Sequence, residues 1–143
     1  MKITICGSIK FIKEMMETKQ KLVELGHDVL VPLSAEIGQT KQYWIDLKQN
    51  KFDEFLVARR ERMLGHFDKI KSSDAILVLN YDKEGIKNYI GGATFGEMMV
   101  AFKYNKKIFL LNPIPTDEKL AVMRDEIECV KPVVINGNLD LIK

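Results

Sequence analysis

The stretch Asp74-Ala75-Ile76-Leu77-Val78-Leu79-Asn80 decides the fold. Its five apolar residues run without a polar interruption. A strand with one wet face alternates apolar and polar residues, whereas an unbroken run fits a central parallel strand buried on both faces. Parallel neighbours need crossover connections, usually helices, so strand and helix patterns should alternate on either side.

They do. Lys2 to Cys6 reads as a strand, with β-branched Ile3, Thr4 and Ile5, and Gly7 stops it. Ile12, Met15, Met16, Lys19, Leu22 and Val23 keep the spacing of one helical face, and Gly26 suits the position just past a helix end. His27 to Val31 is a second strand, ended by Pro32. Helical spacing returns with Phe52, Phe55, Leu56, Arg59, Met63, Phe67 and Ile70, and Ser72-Ser73 breaks it. Beyond the central run, the pattern predicts a helix from about Thr94 to Tyr104 and a strand from Lys107 to Leu111. A helix from Thr116 to Cys129, a strand from Lys131 to Ile135 and a turn over Leu139 to Ile142 follow. Right-handed crossovers then give an α/β fold: a doubly wound five-stranded parallel sheet of flavodoxin-like or Rossmann-like order 2-1-3-4-5, in one domain spanning 1–143. Pro32 to Asn50 is polar, holds Gly38, Thr40 and the only tryptophan, and reads as a long loop or a loose helix start. Asn80 to Gly92 is a second long connection.

Composition excludes several classes. The 143 residues are 46% hydrophobic and 29% charged, which is globular rather than disordered. Net charge is +2, and basic residues are interleaved with acids, as in Arg59-Arg60-Glu61-Arg62, so neither nucleic acid nor a membrane is an expected partner. No apolar run approaches the roughly 20 residues of a membrane span. A strand pattern begins at Lys2, so no leader peptide is expected, and a cytoplasmic location is. The two cysteines, Cys6 and Cys129, form no Cys-x-x-Cys pair and no zinc spacing. No dinucleotide or triphosphate fingerprint is present. No metal and no cofactor are expected.

Ligands of such sheets bind beyond the carboxyl ends of the strands, at the switch point between the first and third. That places Cys6, Gly7, Ser8, Ile9 and Lys10 opposite the segment from Asn80 to Glu97. Gly7-Ser8 precedes a helix, whose amino end suits a phosphate or carboxylate, with a hydroxyl from Ser8 and charge from Lys10. The same residues equally fit a tight turn at Gly7 and a helix cap at Ser8. In Tyr89 to Glu97, the glycines Gly91, Gly92 and Gly96 let backbone approach a ligand. Glu97 is then expected in the first helical turn, where the amino end favours its ionised form. An ionised carboxylate beside a sugar can attack the anomeric carbon or stabilise an oxocarbenium-like transition state. Thr94-Phe95-Gly96-Glu97 also fits a capping box, with Thr94 as the cap. Tyr43 and Trp44 offer aromatic faces for a base, or anchor the loop.

At these residues the chain resembles the nucleoside 2-deoxyribosyltransferase family, including its relatives that hydrolyse nucleoside monophosphates at the N-glycosidic bond. Ile5-Cys6-Gly7-Ser8-Ile9-Lys10 is similar to the family's first-strand Cys-Gly-Ser-Ile motif. Ser73-Asp74 and the apolar run resemble its central strand. Gly96-Glu97-Met98, with Ala101 and Lys107, resembles its Gly-x-Glu helix and following strand. The resemblance implies a (deoxy)nucleoside or nucleoside 5′-monophosphate as small-molecule partner and Glu97 as catalytic nucleophile. It places Ser8 and Lys10 near the ribose or its 5′ substituent. Where the monophosphate hydrolases carry an arginine, this chain has Lys10, a point charge without the bidentate fork. The family acid about eight residues before the strand aspartate falls on His66, with Asp68 two residues on, so both are candidate catalytic groups. Asp74, Asn80, Gly91, Gly92 and Thr94 join the candidate substrate contacts; Asp74 also fits a plain strand start that binds nearby N–H groups. A homo-oligomer is implied. The departures at Lys10 and His66 leave a second reading, a non-catalytic module that binds or senses a nucleotide in the same pocket.

Overall fold

The computed structural model describes residues 1–143. Five parallel strands form one sheet: β1 (Lys2–Gly7), β2 (Asp28–Leu30), β3 (Ala75–Leu79), β4 (Lys107–Leu110) and β5 (Val133–Val134), in the order β2-β1-β3-β4-β5. The central pairing of β1 with β3 sets Ile3 beside Ala75 and Gly7 beside Leu79. All five residues of β3 are buried, as their unbroken apolar run requires.

The connecting helices are α1 (Ile12–Glu24), α2 (Leu33–Ile37), α3 (Lys41–Asn50), α4 (Phe52–Ser72), α5 (Gly92–Lys103) and α6 (Ala121–Cys129). They cover both faces of the sheet. Strand residues alternate between those faces. Ile3 and Ile5 of β1, with Ala75, Leu77 and Leu79 of β3, pack on Met15 and Leu22 of α1. Cys6, with Ile76 and Val78, faces the other way onto Ile70 of α4, Met98 and Ala101 of α5, and Ile127 of α6. This two-residue period is what aims Cys6 at α4 and α5.

Three expectations need correction. Of the two readings of Pro32 to Asn50, long loop or loose helix start, the loop is wrong, since α2 and α3 occupy most of the stretch. Trp44 is the one buried residue of α3, so this helix lacks the apolar stripe that would reveal it. Thr94 is not a cap. The helix starts two residues earlier, Gly91 is its N-cap, and Gly91 has no side chain to cap with. Glu97 therefore lies in the second turn, outside any capping box. The strands β2 and β5 are shorter than their apolar patterns.

At the carboxyl ends of β3 and β4, buried Asn80 closes the sheet. Its amide nitrogen donates to Asn112 O at 2.9 Å and Pro113 O at 3.1 Å, and its Oδ1 accepts from Asn112 N at 2.9 Å. Between β3 and α5 the chain folds into a tight hairpin. Lys83 and Ile86 exchange backbone bonds. Glu84 and Gly85 take φ of 53° and 76°, the left-handed pair that a two-residue hairpin turn needs. No helix is long and apolar enough to cross a membrane.

Candidate active site

Beyond the carboxyl ends of β1 and β3, where the sheet order reverses, lies a cavity of about 280 Å³. This is the position expected for a ligand in such a sheet. Five segments build its wall: the turn after β1, the first turn of α1, the start of α2, the middle of α4, and the hairpin running into α5. Gly7 fits because its neighbour is close. A Cβ there would meet Leu79 O at 3.3 Å and Met15 Cε at 3.4 Å.

Ser8 has two tasks. It caps a short 3-10 turn, its Oγ accepting from Lys10 N at 3.3 Å, and it lines the cavity. Its Oγ also accepts from Lys83 Nζ at 3.0 Å, which leaves the hydroxyl proton free to donate. Ile9 shares the lining, but Lys10 is exposed and its ammonium rests over the Phe11 ring, 5.9 Å from its centroid. The cation at Ser8 is thus Lys83. Nothing in the spacing marked Lys83, since it reaches Ser8 only because the hairpin folds back.

Across the cavity, Gly91, Gly92 and Thr94 form the uncapped amino end of α5. Its first-turn N–H groups have no partner within the helix. Glu97 follows one turn later, with its side chain 16% exposed. Glu97 Oε1 is 3.9 Å from His66 Nε2, and His66 Nε2 is 3.5 Å from Cys6 Sγ. Glu97 Oε2 and His66 Nδ1 are buried without hydrogen-bond partners. Burial governs all three groups. It pushes Glu97 up to about 7, against the opposing pull of the Cys6 thiol and the Arg59 charge. It pushes His66 down to about 4, helped by the Lys69 charge, so the imidazole is neutral at pH 7. It raises the Cys6 thiol, with the Glu97 charge adding to the effect. The expected bias of Glu97 toward ionisation by a helix amino end is reversed, because the carboxylate is buried and sits beyond the first turn.

Arg59 and Arg62 of α4 also line the cavity. Arg62 donates to Ser34 Oγ at 2.8 Å and Gln39 Oε1 at 2.6 Å, which ties α4 to α2. Lys69 adds a second tie, donating to Val31 O at 2.8 Å. Both arginines stack near Trp44, at 5.2 Å for Arg62 and 5.8 Å for Arg59. Trp44 is buried beneath them and donates to Ser34 Oγ, so its face is not available to a base. Tyr89 is the aromatic ring on the cavity wall.

The structure brings together Cys6, Gly7, Ser8, Ile9, His66, Gly91, Gly92, Thr94 and Glu97. Asp68 is exposed and outside the lining. Two residues along a helix turn by about 200°, so Asp68 faces away when His66 faces in. Asp74 lies at the opposite, amino end of the sheet, where its Oδ2 accepts from Lys2 N at 2.7 Å. Asn80 is structural, spent on the β3–β4 closure described above.

No protein-family model matches the chain, and no curated protein does. Among solved structures, a 2-deoxyribosyltransferase from the psychrotolerant bacterium Bacillus psychrosaccharolyticus is similar at 21% identity and TM-score 0.49, over 77% of this chain and 71% of that one. The flavoenzyme FerB, an NAD(P)H:(acceptor) oxidoreductase from Paracoccus denitrificans, is similar at 17% identity and TM-score 0.43, over 94% and 74%.

Proposed function

We propose that this chain breaks the N-glycosidic bond of a nucleoside 5′-monophosphate, with Glu97 as nucleophile. The observation that carries the reading is the lining of one cavity by a lone carboxylate, poised near 7, and three cations, Arg59, Arg62 and Lys83. The cations favour an anionic ligand over a neutral nucleoside. Lys83, Ser8 and the open amino end of α5 supply charge, hydroxyl and N–H groups of the kind that hold a phosphate.

In this reading ionised Glu97 attacks the anomeric carbon. The base leaves with the bond electrons and takes a proton from water. A second water then hydrolyses the glycosyl ester and restores the carboxylate. His66 sits 3.9 Å from Glu97 and is neutral at pH 7, so it does not act as a cationic acid. Phe52, Leu56 and Met63 form an exposed apolar row on α4 beside the cavity, and a second copy of the chain packed there would complete a homo-oligomer.

The test is a panel of nucleosides and 5′-monophosphates incubated with the protein and assayed for free base by chromatography. Release from monophosphates, abolished by Glu97→Gln, is the expected result. No release at high enzyme concentration refutes the proposal. One observation favours the second reading, binding without turnover: Glu97 is the only carboxylate in the lining, whereas glycosidic cleavage commonly uses two. Calorimetric binding of a monophosphate without base release would establish it.

A further inference from the structure

Cys6 belongs to a motif, is fully buried, and has no part in the chemistry proposed above. It does have two neighbours of an unusual kind. Cys6 Sγ, His66 Nε2 and a Glu97 carboxylate oxygen all lie within 4.8 Å of one another. They come from β1, α4 and α5, so no sequence spacing announces them.

Thiolate, imidazole and carboxylate are the donors that zinc prefers, and three protein ligands with one open position is the usual form of a reactive zinc site. The spacing also fits. Bonds of about 2.3 Å to sulfur and about 2.0–2.1 Å to nitrogen, at tetrahedral angles, set those donors about 3.5 Å apart. Cys6 Sγ and His66 Nε2 are 3.5 Å apart. His66 Nε2 and Glu97 Oε1 are 3.9 Å apart, against about 3.4 Å in the same tetrahedron. The third edge, Cys6 Sγ to the Glu97 oxygen, is within 4.8 Å, against about 3.6 Å in the tetrahedron, so a swing of the glutamate side chain by up to about 1 Å closes the triangle. Glu97 Oε2 has no hydrogen bond to lose by such a movement. His66 and Glu97 also face the cavity, which gives an ion a way in and a water as fourth ligand.

We propose that Cys6, His66 and Glu97 bind a thiophilic divalent cation, zinc foremost, and that the ion holds the Glu97 carboxylate out of reaction. On binding, the Cys6 thiol releases its proton to solvent while His66 stays neutral. The two charges of the ion are then balanced by one thiolate and one carboxylate. His66 Nδ1 makes no hydrogen bond to an outer partner in this structure, although the Ile5 backbone lies near enough to act on the imidazole. Metal sites that lack such an outer partner commonly lose about 10–100-fold in affinity. The site is therefore a reversible inhibitory one rather than a resident metal centre. Binding stands on the geometry alone; inhibition rests on the glycosidic reading.

The test uses the full chain, stripped with chelator and then freed of it. Titration with Co²⁺ should give one ion per chain and a sulfur-to-metal charge-transfer band in the near ultraviolet, displaced by Zn²⁺. Cys6→Ala should abolish the band. Glu97→Gln, at the cavity wall, should weaken Zn²⁺ binding by calorimetry at least about tenfold. Cys129→Ser should change neither, because Cys129 is exposed and remote from the cluster. Absence of the band in the wild type, its persistence in Cys6→Ala, or its loss in Cys129→Ser overturns the proposal. If a monophosphate is cleaved, Zn²⁺ should inhibit with the same midpoint as it binds. Metal binding without any cleavage sinks the glycosidic reading and leaves the site, while cleavage without metal binding does the reverse.

Discussion

Replacing Glu97 by Gln should make the protein more stable, and by an amount that depends on pH. Burial raises this carboxyl from 4.5 to about 7 in the native chain. A carboxyl raised on folding binds its proton more tightly in the native state, so the native state loses stability as pH rises above 4.5, and the loss is complete above 7. At about 1.36 kcal/mol for each tenfold change in proton affinity, the full penalty is about 3 kcal/mol. It is under about 1 kcal/mol at pH 5 and about 3 kcal/mol at pH 8. Gln keeps the shape and carries no charge, so the penalty vanishes with it. Any cost of burying the amide is the same at both pH values and drops out of the comparison. Urea unfolding of both proteins at pH 5 and pH 8 gives the measurement. With a slope of about 2 kcal/mol per molar, the variant's midpoint should exceed the wild type's by over about 1 M more at pH 8 than at pH 5. A stability difference that does not change with pH refutes the claim that Glu97 is held, buried and charged, at a cost. The gain in stability should come with at least a roughly 10³-fold loss of base release.

Base release in metal-free buffer should rise with pH and level off above about 7, as Glu97 ionises; a rate that falls through this range contradicts the nucleophile assignment. Lys83→Ala should raise KM for a 5′-monophosphate about tenfold, the share of a partly exposed charge-assisted hydrogen bond, and leave cleavage of the free nucleoside nearly unchanged; Lys83→Arg should recover part of the loss. Asn80→Ala should cost about 2–4 kcal/mol in urea unfolding, because it empties a buried position and removes three hydrogen bonds to part-buried backbone groups of Asn112 and Pro113. Asp68→Asn should leave kcat/KM within about twofold, since the carboxylate is exposed and points away from the cavity.

The strand order was legible because β3 is apolar without a break and because Gly7 and Asn112-Pro113 punctuate their strands. What sequence patterns missed follows from what they measure. Hydrophobic periodicity detects a helix by its buried stripe, and α3 buries only Trp44, so it read as a long loop or at most a loose helix start. Arg59 and Arg62 read as a solvated, interleaved charge run, yet both line the cavity together with Met63 and His66 of the same helix. Turn chemistry predicted a capping box at Thr94 to Glu97, but the helix begins at Gly92, and helix starts are set as much by what the preceding loop packs against as by the cap. Distance along the chain placed Asp68 near His66, and the helical twist separates them. The contacts that define the site join β1 to α4, α5 and the hairpin, and no local pattern records which of these meet. The switch-point position and the glycine-rich turn pointed to Gly7, Ser8 and Glu97, which do line one cavity. Neither local pattern nor resemblance marked Lys83, which occupies the place that Lys10 was expected to take.

Lys83 and Glu97 ride on parts of the chain that tolerate mutation very differently. Glu97 is on α5, next to Met98 and near Ala101, both fully buried against the sheet, so changes around it disturb the core. Lys83 stands on a hairpin whose bonds close on themselves, Lys83 with Ile86 and Asp82 with Asn88, and whose tip at Glu84 and Gly85 meets solvent. Substitutions at that tip leave every rung of the sheet in place. On the proposed reading, the bond-breaking group therefore sits where change disturbs the core, and the anion-reading group where change is tolerated. If that reading holds, rewriting one surface hairpin would change the substituent selected at the sugar, with no new scaffold and no rebuilt nucleophile.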